Sequence, residues 1–299
     1  MPGNRDDRAY FLYRFGARAL RCLPRVFARR LMGRLGLVIY HLSKSTRQVV
    51  SDNLRVVVGP ALSEEELQTI VAASFASYAS YWSDIFHIAS LTNANIDQFF
   101  SELDLEPLKR TLDSGGALLV VPHLGTWEIG GLWVHLHGYV VHSVAEPASS
   151  ERLTNWFTKE RARLGLDVHT LGDKTMAILL EALSRGEVVA LVADRDIVGD
   201  GIEVTLFGQK TRMPGGPALL ALRSGKPLIP CAIYFDRHDM HFPVVLDAIA
   251  VARQGTLRED VARITQDLAF AFEKLIGRAP EQWHVFQPFW LPPTKQRQD

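Results

Sequence analysis

Cysteine is scarce in this 299-residue chain: only Cys22 and Cys231 are present. Two thiols cannot build a disulfide framework or a cysteine-rich zinc site. No run of eighteen apolar residues occurs, so no transmembrane helix is expected. The N-terminus is charged and lacks an apolar stretch ending in a small-residue cleavage site, which argues against a secretory signal. Walker A, GxGxxG, HEXXH and Gly-x-Ser-x-Gly patterns are all missing. Their absence removes support for nucleotide chemistry, zinc proteolysis and a serine nucleophile elbow. His135, His137 and His142 follow one another closely, yet their spacing does not suit a metal site, and none is expected. A cofactor is not expected either.

What is present is a globular composition, 47% apolar and 22% charged, with a formal net charge of zero. The charge is unevenly spread. From Met1 to Arg55 there are 12 Lys+Arg against 3 Asp+Glu, so this segment carries +9 and the remainder about −9. Residues 8–42 read as one or two amphipathic helices, the second begun by Pro24. Their apolar positions include Leu12, Phe15, Leu20, Leu23, Phe27, Leu31 and Leu35, with arginines between them. Such a face either packs on a core or lies on anionic lipid. No nucleic-acid-binding motif accompanies the basic arm, so nucleic acid is not an expected partner. A further helix is expected from residue 64 to 91, opened by Ser63 with three glutamates in its first turn.

From residue 105 onward helical and strand patterns alternate. Strands are expected at ALLVVPH, VVHSVAE, 167–170, VVALVAD, PLIPCAIYF and 241–246, with helices between them and a loop of roughly 18 residues after Asp194. The alternation predicts an α/β fold: a mostly parallel central sheet flanked by helices, behind a helical N-terminal region. We treat residues 1–299 as a single domain, with 1–42 as basic, membrane-associating helices within it.

In such sheets, chemistry gathers beyond the carboxyl ends of the strands. Three strand exits carry polar groups: His123, then Glu146, then Asp194-Arg195-Asp196. His123 is followed five positions later by Glu128. A neutral imidazole suits proton abstraction from a weakly acidic alcohol, and a carboxylate partner fixes its tautomer and stabilises the imidazolium. The pair therefore points to acyl transfer to a hydroxyl, by direct attack rather than through an acyl-enzyme.

His123-Leu-Gly-Thr-Trp-Glu128 resembles the H-x4-D/E signature of the glycerolipid acyltransferase superfamily. ADRDIVGDGIEVTLFGQKTRMPGGPALLALRSGKPLIP (193–230) and PEQWHVFQPFW (280–290) are similar to two further blocks of one branch. That branch holds the bacterial lipid A late acyltransferases and the phosphatidylinositol mannoside acyltransferases. The likeness runs from about residue 10 to 292. DRDIVGDGIEV, RMPGGPA and WHVFQ favour the mannoside enzymes, whereas Glu128, where those enzymes usually carry Asp, favours the lipid A enzymes. The resemblance implies His123 as general base with Glu128 as its orienting acid. Glu146, Arg161 or Arg163, Asp194, Arg195, and Glu203 or Arg212 would contact substrate, with oxyanion donors among the backbone N–H groups around Gly125 or Gly215-Gly216, with or without an arginine. It further implies an acyl-CoA or acyl-carrier-protein thioester as co-substrate and a membrane glycolipid acceptor. The protein would sit peripherally on the cytoplasmic face of the cell membrane, on an anionic surface. A non-catalytic lipid-binding protein is the alternative of another class.

Overall fold

The computed structural model describes residues 6–292 apart from 89–90, 102–104, 147, 149, 163–164 and 239. Four helices come first: α1 (Asp6–Arg21), α2 (Arg25–Leu42), α3 (Lys44–Val58) and α4 (Glu64–His87). Pro24 begins α2 as expected, whereas α3 fills a stretch that the sequence pattern left unassigned. Helix α4 starts with a complete capping box: the Ser63 hydroxyl accepts from the Glu66 N–H, and the Glu66 carboxylate accepts from the Ser63 N–H. Two otherwise orphaned donors are satisfied this way.

A six-stranded sheet follows, in the spatial order β3 (Leu166–Thr170), β2 (Val141–Ala145), β4 (Val188–Val192), β1 (Leu118–Val121), β7 (Leu228–Phe235) and β8 (His241–Val245). All neighbours run parallel except β7 and β8, which are antiparallel. The crossovers are α6 (Trp127–Leu136), α7 (Glu151–Ala162), α8 (Thr175–Ser184) and α9 (Gly216–Ser224); α5 (Glu106–Asp113) precedes the sheet and α10 (Leu257–Ile276) follows it. The β1 run LLVV is buried along its whole length, as a central parallel strand covered on both faces must be. Leu118 and Val120 enter one core with Phe272 and Leu183, while Leu119 and Val121 enter a second with Ile129 and Trp133. The period-two alternation of a strand divides the two cores.

The expected loop after Asp194 contains a hairpin instead, β5 (Ile202–Leu206) and β6 (Gln209–Met213). Its connection, Phe207-Gly208, has positive φ at both positions, the backbone of a type I′ turn. Phe207 tolerates this because its N–H is anchored by the Glu273 carboxylate at 2.5 Å.

Helix α2 is bound into this body. Gly36 sits so close to α4 that a Cβ there would lie 2.3 Å from the Phe75 carbonyl oxygen. Arg29 reaches the Asp84 carboxylate at 2.6 Å, with both side chains nearly out of solvent. The outer face of α1 and α2 is different: Phe15, Phe27, Leu31 and Leu35 are exposed, among the exposed arginines 14, 18, 30 and 34.

Candidate active site

His123 leaves β1 into a tight turn stitched on two sides. The Thr126 N–H donates to the Ile233 carbonyl at 2.8 Å, and the Gly125 N–H donates to the Gln282 carbonyl at 3.0 Å. Gly125 has φ +64°, and a Cβ at this position would fall 1.9 Å from the Ile233 oxygen. Only glycine permits that backbone approach. The His284 N–H in turn donates to the His123 carbonyl at 2.7 Å, which brings the closing WHVF segment against the turn.

The carboxylate that holds the imidazole is Asp194, from the exit of β4. Its Oδ1 lies 2.5 Å from His123 Nδ1, and its Oδ2 accepts from the His123 N–H at 3.0 Å and from Trp283 Nε1 at 2.9 Å. Asp194 is fully buried. Burial pushes its pKa up, but the His123 charge and the three hydrogen bonds outweigh this and hold the carboxyl below its usual value. A carboxylate only accepts, so the proton of neutral His123 sits on Nδ1 and Nε2 keeps its lone pair free.

Glu128 does not take the orienting place expected of it. Its Oε1 accepts from Arg161 at 2.6 and 2.8 Å, and its Oε2 accepts from the Tyr81 hydroxyl at 3.0 Å. The reason is directional. Glu128 lies in the first turn of α6 and points toward α4 and α7, whereas Asp194 ends the strand beside β1. The Glu128 charge raises the pKa of Arg161, and burial lifts that of Tyr81 well above its ordinary value. Both therefore stay protonated and bound to Glu128.

A cavity of about 420 Å³ opens at these groups and runs along the face of the sheet under α6. His123, Glu128, Glu146, Arg161 and Arg195 line its polar end; Leu108, Val121, Val134, Val168 and Ile233 line the apolar remainder. Its size is that of a small-ligand site. Arg195 approaches Glu146 at 3.7 Å, and its Nε is buried with no hydrogen-bond partner among the described residues. Glu203 and Arg212 lie elsewhere. They face each other across the β5–β6 hairpin, where Glu203 meets Lys210 at 3.4 Å and Arg212 reaches the Gly199 carbonyl at 3.3 Å. Arg163 falls outside the described residues. The Gly125 N–H is already engaged, and Gly215-Gly216 do not line the cavity, so neither is the oxyanion donor expected from the sequence.

Three site residues carried no assigned role in the sequence reading. Tyr81 lies within the expected helix 64–91, and Trp283 and His284 within the closing PEQWHVFQPFW block. His284 lies beside the site with Nε2 on the Ser77 hydroxyl at 2.8 Å. Burial, reinforced by the His123 charge, drives its imidazole down to about 3, so it is neutral in use.

Fold and site together define an α/β protein with a His123–Asp194 pair at the strand ends and an apolar cavity before it. The chain belongs to the bacterial lipid A biosynthesis acyltransferase family, whose sequence profile matches residues 5–292. It is therefore an acyltransferase. It is 33% identical over 285 residues to the phosphatidylinositol mannoside acyltransferase of Mycolicibacterium smegmatis, covering 93% of this chain and 90% of that one. The protein of the same description from Mycobacterium tuberculosis (strain CDC 1551 / Oshkosh) is 35% identical over 289 residues, covering 93% and 87%. The lipid A biosynthesis acyltransferase of Haemophilus influenzae is 25% identical over 190 residues, 62% of this chain and 59% of its own.

Proposed function

We propose that this acyltransferase moves a long-chain acyl group from a coenzyme A or carrier-protein thioester to a sugar hydroxyl of a phosphatidylinositol mannoside. The single observation that carries the chemistry is the His123–Asp194 contact at 2.5 Å at the polar mouth of an apolar cavity. The acceptor class rests on the names of the mycobacterial relatives and on their coverage of nearly the whole chain.

The acyl chain occupies the apolar part of the cavity, with its thioester carbonyl beside His123. Nε2 takes the proton of the acceptor hydroxyl as its oxygen attacks the carbonyl carbon. The imidazolium that forms faces Asp194, which offsets its charge. The oxyanion needs a donor aimed at it, and the Arg195 guanidinium at the polar end of the cavity suits that task. Collapse of the tetrahedral intermediate breaks the carbon–sulfur bond, and the thiolate recovers the proton from Nε2. Arg161, fixed by Glu128 and Tyr81, presents its remaining N–H groups to phosphate or carbonyl oxygens.

No helix among the described residues is long and apolar enough to cross a membrane. The exposed face of α1 and α2 instead suits peripheral docking on the cytoplasmic leaflet. Phe15, Phe27, Leu31 and Leu35 enter the headgroup boundary, and the arginines beside them meet anionic lipid.

The test is transfer of label from palmitoyl-coenzyme A, and separately from palmitoyl carrier protein, by the purified protein. A mannosylated phosphatidylinositol and a lipid A precursor are supplied in different tubes. Labelled mannoside is expected. Label in the lipid A precursor alone moves the acceptor to the alternative class. Label in free fatty acid alone, with both acceptors present, contradicts the transfer reading.

A further inference from the structure

The opposite face of the sheet carries a second cluster that the acyl-transfer reading does not use. Val141, Ser143, Leu166 and Val168 line the cavity, whereas His142, Asp167 and His169 do not. His142 of β2 lies directly across from Asp167 of β3, and His169 follows two positions on, along the same face. His142 Nδ1 is 3.1 Å from His169 Nε2 and 3.3 Å from Asp167 Oδ2, and His169 Nε2 is 3.6 Å from that same oxygen. The two imidazoles lie parallel, 6° apart.

Hydrogen accounting fixes one of these atoms. His142 Nε2 lies 2.8 Å from Glu187 Oε2, and a carboxylate can only accept, so in the metal-binding tautomer the ring proton sits on Nε2. Nδ1 then directs its lone pair at the other two donors. Glu187 is held in place by Arg185, through contacts of 3.0 and 2.8 Å. A carboxylate that accepts from the far nitrogen of an imidazole is the usual support of a metal-bound histidine.

The spacing agrees. Ligand atoms bound tetrahedrally at about 2.0–2.1 Å stand about 3.3 Å from one another, and the three separations here are 3.1, 3.3 and 3.6 Å. Two imidazoles and one carboxylate are a borderline donor set, suited to zinc-class ions and not to magnesium or calcium, which take oxygen cages. Asp167 is exposed, which leaves the fourth corner to water. The geometry points to a binding site for a divalent transition ion of the zinc class on His142, Asp167 and His169, with Glu187 orienting His142. Strand β3 is an edge strand paired only to β2, so the ion pins it in place. Reading the histidines in chain order misses this site, because its ligands come from neighbouring strands 25 and 27 positions apart.

The test uses the full chain, stripped with chelator and titrated with Co²⁺, then with Zn²⁺. One Co²⁺ per chain is expected, with the visible absorption of a four- or five-coordinate ion, displaced by Zn²⁺. Zn²⁺ is expected to raise the unfolding temperature. Asp167→Asn and His169→Ala, both away from the core, should remove the absorption and the thermal shift. Glu187→Gln should weaken binding about 10–100-fold. No absorption and no thermal shift in the parent chain would overturn the assignment. So would binding unchanged in a folded His169→Ala variant, or a thiolate charge-transfer band, which would place the ion on the exposed Cys22.

Discussion

At the scale of single residues, replacing Glu128 by glutamine would leave Arg161 against a neutral amide. Breaking a fully buried ion pair costs about 3–5 kcal/mol. Arg161 keeps 28% side-chain exposure, so a smaller loss, about 2 kcal/mol, is expected here. Glu128→Gln should therefore lower the unfolding free energy and weaken substrate binding, while the His123–Asp194 contact survives. Denaturant unfolding together with kcat and KM separates these effects; a pure fall in kcat at unchanged stability would restore Glu128 as the orienting acid. His123 is legible as a candidate base because an imidazole at a strand exit has few structural uses. Its partner was misread because five positions along the chain look nearer than seventy-one. The sheet reverses that order by setting β4 beside β1. Nothing local in Asp194-Arg195-Asp196 says which acid turns inward; burial of Asp194 under Trp283 does.

At the scale of elements, α2 belongs to the fold as well as to the surface. Arg29→Ala would remove the short partner of buried Asp84 and leave Arg25 at 3.9 Å, so a loss of about 3 kcal/mol is expected. Gly36→Ala would force α2 away from α4, with a cost of about 1–3 kcal/mol. Thermal unfolding checks both, and full stability in either would contradict the packing. Removing residues 1–42 is thus expected to unfold the protein rather than merely release it from lipid. Docking is better tested by serine at Phe15, Phe27, Leu31 and Leu35 together. That variant should keep its fold and lose sedimentation with anionic vesicles, an effect salt should also produce in part. The parallel strands were readable from their apolar runs and alternating helices. Helix α3 was not, because its pattern falls between two stronger ones. The β5–β6 hairpin was also missed, since its turn is Phe207-Gly208 in place of the Asn-Gly or Asp-Gly that marks such turns.

At the scale of the whole molecule, stability should depend on pH through two buried imidazoles. Burial depresses His284 to about 3 and His241 well below its ordinary value, the latter helped by Arg25 and Arg29. The unfolded chain protonates both near pH 6.5, while the folded chain does not. Their contribution is complete above that pH and is lost as pH falls, by up to about 1.4 kcal/mol per pH unit for each. Asp194, depressed in the fold, adds its own loss below its unfolded value near pH 4. Denaturant melts at pH 7.5 and 5 should show the first effect, and equal midpoints would contradict it. The proposed chemistry turns on one claim, that Asp194 holds His123 as the base for acyl transfer. Its most direct test is the single-turnover rate of transfer in the parent chain, His123→Ala and Asp194→Asn, with donor binding and unfolding temperature measured beside it. The account predicts no transfer in His123→Ala and a fall of about 10³–10⁴-fold in Asp194→Asn, with donor still bound. A folded Asp194→Asn variant turning over at nearly the parent rate would contradict it.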